Sequence, residues 1–200
     1  AEPMIKFLEA LNDVVIVIVG MAMKLAPYGV AGPIFGVTSR FGFALLKPLG
    51  SYVFVVMFAL LFHMFVNLSL ILKFVIGISP VLYFSRIKGA MVTAFSTSSS
   101  SATLPTALQA AEKGLGVPPK IAGFVLPLGS TMCMNGTSIF EGITVIFLCQ
   151  VFGVDLSLGG MVIVIVMSVI TAVGAAGVPG GSIPLLVGIL TMMGVPGEGI

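Results

Sequence analysis

The longest uncharged stretch of this chain, residues 156–195, contains forty residues without a single Asp, Glu, Lys or Arg. A helix needs about 20 apolar residues to cross the hydrocarbon layer of a membrane. The stretch is therefore long enough for two membrane-length arms, and a glycine-rich run, GAAGVPGG at 174–181, interrupts it near the centre. This feature predicts a helical hairpin inside a membrane.

The composition supports a membrane protein over a soluble one. Hydrophobic residues make up 58% of the 200 residues and charged residues only 8%, whereas a soluble domain usually has about 25% charged residues. The net charge of +2 gives no electrostatic basis for a nucleic-acid partner. We therefore predict an all-α membrane protein in contact with a lipid bilayer.

Three other apolar stretches reach membrane-spanning length, and each contains a single residue of the Asp, Glu, Lys, Arg and His types: 14–36 with Lys24, 50–72 with His63, and 121–153 with Glu141. A fourth, 89–111, contains TSSSS at 97–101 and a proline soon after. Its arms of about ten residues are too short to cross twice. We divide the chain into transmembrane helices (1–78), a first re-entrant hairpin (79–115), a broken transmembrane helix (118–153) and a second re-entrant hairpin (156–195).

The charges between these stretches predict the topology. If both hairpins return to the side they entered, six basic residues share one membrane face, and that face is cytoplasmic by the excess of Lys and Arg. These residues are Lys6, Lys73, Arg86, Lys88, Lys113 and Lys120. Arg40, Lys47, Asp155 and Glu198 fall on the opposite face. The serine hairpin then enters from the cytoplasm and the glycine hairpin from outside.

Two opposed hairpins with polar tips near the midplane describe the substrate site of an inverted-repeat transporter. Non-helical backbone at that depth is tolerated only where protein or a water-filled cavity satisfies its polar groups. The alternative is a polar linker at the serine run and packing glycines at the second tip. The third span has a break of its own, TMCMNGT at 131–137, where unwound carbonyls could coordinate sodium.

Four motifs in order resemble the dicarboxylate/amino acid:cation symporter (glutamate transporter) family. They are APYGV at 26–30, TSSSSATLP at 97–105, LPLGSTMCMNGT at 126–137 and GAAGVPGG at 174–181. The resemblance implies the transport-domain part of that fold, from the fifth helix to the second hairpin, as an incomplete segment of a longer protein. It implies symport of an acidic amino acid or dicarboxylate, driven by sodium and/or protons, in a multi-pass protein of the cell (plasma/inner) membrane. It also implies a homotrimer, no enzymatic activity and no cofactor besides the coupled ions.

The resemblance also implies particular site residues. Substrate would be bound by the serine tip, the broken helix and the second tip, through Ser98, Ser99, Ser100, Thr137, Val178, Gly181 and Ser182. Sodium would be bound near the broken helix and the end of the following arm, by Thr131, Met134, Asn135, Ala172, Val173 and Ala175. The charged residues that read the substrate side chain belong to an eighth helix beyond this segment, so the sequence leaves the particular substrate open.

Two departures from the family motif affect the expected coupling ion. Cys133 stands where the family has Asn, and Asn135 stands where it has Asp. A thiol is a poor ligand for a hard cation, and an amide lacks the formal charge of a carboxylate, so we predict a weakened sodium site. Glu141 matches a glutamate that is linked to proton coupling in some family members. It is either a proton-coupling residue or a glutamate facing an aqueous vestibule.

Two other functions fit the same pattern. An anion channel with re-entrant loops would also place polar tips at the midplane, and serine-rich tips are similar to anion filters. A fragment without scaffold helices could instead associate with other membrane helices and transport nothing. A serine hydrolase is disfavoured because the single histidine lies far from the serine run in sequence.

Overall fold

The computed structural model describes residues 46–195 without a gap. Before them it describes scattered helical residues at positions 3, 4, 6, 7, 10, 11, 14, 17, 18, 21, 24, 25, 28, 29, 31, 32, 35 and 39. The chain divides into two compact units, Ala1–Ser51 and Tyr52–Ile200. Only part of the predicted span 14–36 and of the motif at 26–30 is therefore described. Arg40 and Glu198, used in the predicted topology, lie outside the described residues.

The first continuous helical segment is long enough to cross a membrane. Helix α1 (Leu46–Phe62) continues through α2 (Leu68–Ile71), with a wider π-helical turn on each side of α2, at His63–Asn67 and Leu72–Ile76. Together they give a predominantly apolar helical segment of 30 residues, Lys47–Ile76. The segment ends at Gly77, whose φ of 79° is in the left-handed region that favours glycine.

Helices α3 (Pro80–Thr97) and α4 (Ser100–Gln109) form an antiparallel pair. At the far end of the pair, the Arg86 Nη1 donates to the Gly114 carbonyl at 3.2 Å. Between the helices, Ser98 has a φ of 49°, a conformation that costs a non-glycine residue roughly 1–2 kcal/mol. Ser99 caps α4, because its Oγ accepts a hydrogen bond from the Ala102 N–H at 3.2 Å.

A second membrane-length segment, Pro119–Val151, is interrupted in its middle. Helix α5 (Pro119–Met132) ends and α6 (Asn135–Val151) begins on either side of Cys133 and Met134, which have ψ values of 62° and 52°. The interruption breaks the ladder of backbone hydrogen bonds. Carbonyls in the last turn of α5 therefore lose the partners that a continuous helix would supply.

Helices α7 (Leu158–Gly174) and α8 (Ile183–Met192) pack on α6 and on each other. The buried core they share is apolar and consists of Val145, Cys149, Val164, Leu186, Ile189, Leu190 and Val195. The segment 175–182 joins α7 to α8 without helical structure. Every regular element of the described residues is helical, which confirms the all-α class predicted from the sequence.

Candidate functional site

Three interruptions of helix lie around one cavity of about 250 Å³. They are the turn between α3 and α4, the break between α5 and α6, and the segment between α7 and α8. We call the first the serine tip (97–101) and the third the glycine tip (175–182). The cavity is lined by Ser98, Ser100, Met134, Thr137, Ala175, Ala176, Gly177, Val178, Pro179, Gly180, Gly181 and Ser182.

The two tips touch each other directly through one carbonyl group. The Gly177 oxygen accepts a hydrogen bond from the Ser99 Oγ at 2.8 Å and another from the Ser101 backbone N–H at 3.1 Å. The Ser99 hydroxyl therefore has two contacts. It donates to the Gly177 carbonyl, and it accepts from the Ala102 N–H at the start of α4. This contact joins segments that lie 78 positions apart in the sequence.

Two glycines of the glycine tip are needed for space. A Cβ on Gly177 would lie 2.9 Å from the Ser101 Oγ and 3.3 Å from the Ser100 Cβ. A Cβ on Gly181 would lie 2.6 Å from the Ala176 carbonyl oxygen, well inside van der Waals contact. Neither glycine has a positive φ, whereas Gly180 does, at 74°. Close serine side chains explain Gly177, close backbone explains Gly181, and turn conformation explains Gly180.

Several hydrogen-bonding groups of the cavity lining are free to bind a ligand. Among the described residues, neither the Ser98 nor the Ser100 hydroxyl has a side-chain hydrogen-bond partner, and both residues are exposed. The Thr137 hydroxyl contacts only the Met134 sulfur, at 3.7 Å, and a thioether is a weak acceptor. The part of the lining that the structure describes carries no charged side chain. These hydroxyls and backbone groups could therefore bind a small polar or anionic group.

The structure brings together most of the substrate residues predicted from the sequence. Six of the seven line the cavity, namely Ser98, Ser100, Thr137, Val178, Gly181 and Ser182. Ser99, the seventh, instead bonds the glycine tip. Their role in binding a substrate stays a prediction.

The predicted sodium residues are more scattered. Met134 and Ala175 line the cavity. Thr131 is exposed in the last turn of α5 and its hydroxyl donates to the Leu128 carbonyl at 2.9 Å. Ala172 is buried and Val173 exposed in the last turn of α7.

Asn135, the remaining predicted sodium residue, is the first residue of α6 and is exposed. Because α5 and α7 both end beside the cavity, each leaves backbone carbonyls without helical partners there. Such carbonyls are the oxygen ligands that a hard cation prefers.

Glu141 lies away from the cavity lining, one helical turn beyond Thr137, and its side chain is completely buried. Its Oε2 is 2.7 Å from the Thr171 Oγ1 of α7. Sequence reasoning missed Thr171 and the neighbouring buried Ser168. The available signal was their spacing, since polar residues three apart in an apolar helix lie on one face.

Comparisons with known proteins give matches over the whole chain. A family model described as the sodium:dicarboxylate symporter family matches residues 1–200. The chain is 35% identical over 199 residues to the proton/sodium-glutamate symport protein of Bacillus subtilis (strain 168), covering 100% of this chain and 46% of that protein. It is 33% identical over 199 residues to the proton/glutamate-aspartate symporter of Escherichia coli (strain K12), covering 100% and 45%.

An animal protein is equally similar. The chain is 37% identical over 196 residues to excitatory amino acid transporter 4 of Rattus norvegicus, covering 97% of this chain and 35% of that protein. The chain thus spans less than half the length of the curated relatives it matches.

Proposed function

Because this chain belongs to the sodium:dicarboxylate symporter family, we propose that it forms the core of a membrane transporter. It carries an acidic amino acid or a dicarboxylate by symport with sodium ions, protons or both. The observation that supports this most is the cavity of about 250 Å³ where the serine tip, the glycine tip and the helix break meet. The printed names of the bacterial relatives, proton/sodium-glutamate and proton/glutamate-aspartate symporters, point to the same substrate class.

In the proposed complex, hydroxyl and backbone groups bind a substrate carboxylate. Ser98 and Ser100 donate from the serine tip and Thr137 from the start of α6. A carboxylate removed from water needs several donors at once, and these three residues all line the cavity. Backbone groups of Val178, Gly181 and Ser182 close over the other side. Ser99 acts indirectly, by holding the Gly177 carbonyl.

The proposed membrane arrangement has α3–α4 and α7–α8 as re-entrant hairpins from opposite faces of the cell membrane. Two observations support it. The segment Pro119–Val151 is long enough to span a membrane, whereas α7 and α8 have 17 and 10 residues. The Arg86–Gly114 hydrogen bond holds the open ends of α3 and α4 side by side. In the complete protein we propose a homotrimer, as the family resemblance implies.

Sodium binding is proposed at the carbonyls freed where α5 and α7 end. The ligands would come from Thr131, Met134 and Asn135 on one side, and from Ala172, Val173 and Ala175 on the other. Cys133 and Asn135 supply no carboxylate there, so sodium would be bound weakly. Glu141, buried beyond Thr137, is the proposed proton carrier.

Uptake into proteoliposomes tests the proposal. The full-length protein is reconstituted, and uptake of labelled glutamate, aspartate and succinate is measured with an imposed sodium gradient, a proton gradient, or both. We expect saturable uptake of at least one substrate that stops when an ionophore dissipates the driving gradient. Electrogenic anion flux without saturation would instead indicate a channel. Absence of both would indicate a protein that only assembles with other helices.

A further inference from the structure

The contact between Glu141 of α6 and Thr171 of α7 is short and buried. The Glu141 side chain is completely buried, and its Oε2 lies 2.7 Å from the Thr171 Oγ1. The other carboxyl oxygen, Oε1, is also buried and has no hydrogen-bond partner among residues 46–195. Within the described chain, the Thr171 hydroxyl is therefore the one hydrogen-bond partner of the Glu141 carboxyl group.

That hydroxyl has two short contacts but only one hydrogen. The Thr171 Oγ1 is 2.7 Å from Glu141 Oε2 and 2.8 Å from the Met167 carbonyl oxygen, with a longer contact of 3.4 Å to the Ser168 carbonyl. A carbonyl and an ionised carboxylate can only accept. One hydroxyl hydrogen shared between two acceptors gives two weakened bonds, so both short contacts are full hydrogen bonds only if the hydrogen of one comes from Glu141. Glu141 is then neutral, with its O–H on Oε2.

The surroundings favour the neutral form for a second reason. Helices α7 and α8 contain no ionisable side chain. On α5, the only charge is Lys120, in its first turn and at the end away from α6. On α1, Tyr52 faces α6 but bonds Thr144 at 2.8 Å, and Cys149 lies two turns along α6 from Glu141. A buried carboxylate without a cation or a second donor is costly.

We propose that Thr171 is the positioning residue for the transported proton. When Glu141 is neutral, its O–H donates to Thr171, and Thr171 donates to the Met167 carbonyl. When the proton leaves Glu141 for water, the Thr171 hydroxyl rotates and donates to the carboxylate, giving up its bond to Met167. This inference rests on the proposed proton coupling through Glu141. The Thr171 hydroxyl that rotates lies one helical turn before Ala175, where α7 ends and the glycine tip begins.

Three variants test the hydroxyl in the full-length protein. Thr171→Val keeps the shape and removes the hydroxyl, Thr171→Ser keeps the hydroxyl, and Thr191→Val is the matched control. The Thr191 hydroxyl donates to the Val187 carbonyl at 2.8 Å, one turn back as at Thr171, but it is exposed and contacts no carboxyl group. The readout is uptake rate against pH in proteoliposomes.

We expect Thr171→Val to move the midpoint of the pH profile upward by about one pH unit. The ionised carboxylate loses its only donor among residues 46–195, and a hydrogen bond to a charged group contributes more than the neutral bond that the protonated form loses. Thr171→Ser should restore the midpoint, and Thr191→Val should match the unmodified protein. An unchanged midpoint in Thr171→Val, or equal shifts in Thr171→Val and Thr191→Val, would overturn the proposal.

Infrared difference spectroscopy tests the same hydrogen bond without transport. The carbonyl band of protonated Glu141 is identified by its loss in Glu141→Gln. In Thr171→Val we expect that band at higher frequency, because its O–H has lost an acceptor, and in Thr171→Ser near its original position. An unchanged band frequency in Thr171→Val would show that Thr171 does not accept a hydrogen bond from Glu141. If the band moves while Glu141→Gln leaves the pH profile of uptake intact, the hydrogen bond stands and the proposed proton carrier is wrong.

Discussion

Ser99 and Ser100 are neighbours in the sequence, but their hydroxyl groups have different surroundings. The Ser99 hydroxyl bonds the Gly177 carbonyl at 2.8 Å, whereas Ser100 is exposed and lines the cavity. The difference follows from the backbone, because Ser98 is left-handed and Ser99 is extended at the start of α4. Single residues of one serine run therefore have separable roles.

The first prediction concerns Ser100. Ser100→Ala should weaken substrate binding by about 1–3 kcal/mol, because a carboxylate oxygen in a closed site loses a donor. Ser96→Ala is the control, since Ser96 lies in the same region, outside the cavity lining, and its exposed hydroxyl bonds only the Thr93 carbonyl. Substrate affinity is measured by equilibrium binding to the purified full-length protein. Equal affinities in both variants would remove Ser100 from the site.

The second prediction concerns Gly177. Gly177→Val should impair closure of the glycine tip more than folding, because its Cβ would lie 2.9 Å from the Ser101 Oγ. We expect a large loss of uptake with a melting temperature close to that of the unmodified protein. Gly188→Ala on α8 is the control, since nothing lies within 4 Å of a Cβ there. A variant that melts much earlier, with proportional loss of uptake, would contradict a role confined to closure.

At the scale of elements, the break between α5 and α6 could be predicted from local chemistry, but the contacts of the tips could not. Gly136 and three polar side chains within an apolar stretch indicated an interruption, and the structure has one at Cys133–Met134. The Gly177 contact with the serine tip depends on how two distant hairpins pack. The same holds for Thr171, which meets Glu141 across 30 positions. No local sequence pattern specifies which residues so far apart in the sequence will be in contact.

The third prediction concerns the ion bound at this break. Replacing Cys133 by Asn together with Asn135 by Asp should steepen the dependence of uptake on sodium concentration. The added carboxylate attracts a desolvated cation by several kcal/mol in a low-dielectric site. Asn67→Asp is a control for added charge, since Asn67 is exposed and lies in the segment Lys47–Ile76, outside α5 and α6.

The measurement is initial uptake rate against sodium concentration. Identical curves for the double variant and the unmodified protein would show that neither position contributes to the sodium site.

At the scale of the whole molecule, the proposed topology depends on where the arms of the first hairpin end. The Arg86–Gly114 hydrogen bond places these ends together, and Lys88 and Lys113 beside them are exposed. Ends that lie together fit the proposal that both face one compartment, as they would in a re-entrant hairpin.

The fourth prediction tests this arrangement. In a full-length background without native cysteines, Lys88→Cys and Lys113→Cys should both react with an impermeant thiol reagent from the cytoplasmic side. Glu198→Cys, which lies outside the described residues, should react from the outside. Labelling is measured in right-side-out and inverted vesicles. If Lys88→Cys and Lys113→Cys react from opposite sides, the first hairpin crosses the membrane and the proposed arrangement is wrong.

The paired hydrogen bonds to the Gly177 carbonyl also have a consequence for the timing of access to the cavity. Both bonds end on a single oxygen atom, so a displacement that carries the Gly177 carbonyl away from the serine tip breaks both of them. These two neutral hydrogen bonds contribute only about 1–3 kcal/mol in total to the contact between the tips. In the proposed transporter, a closed form that rested on these bonds alone would leave an open population on the order of a few per cent. An unloaded cavity would thus be sampled by solutes continually, without any energy input to release the tip.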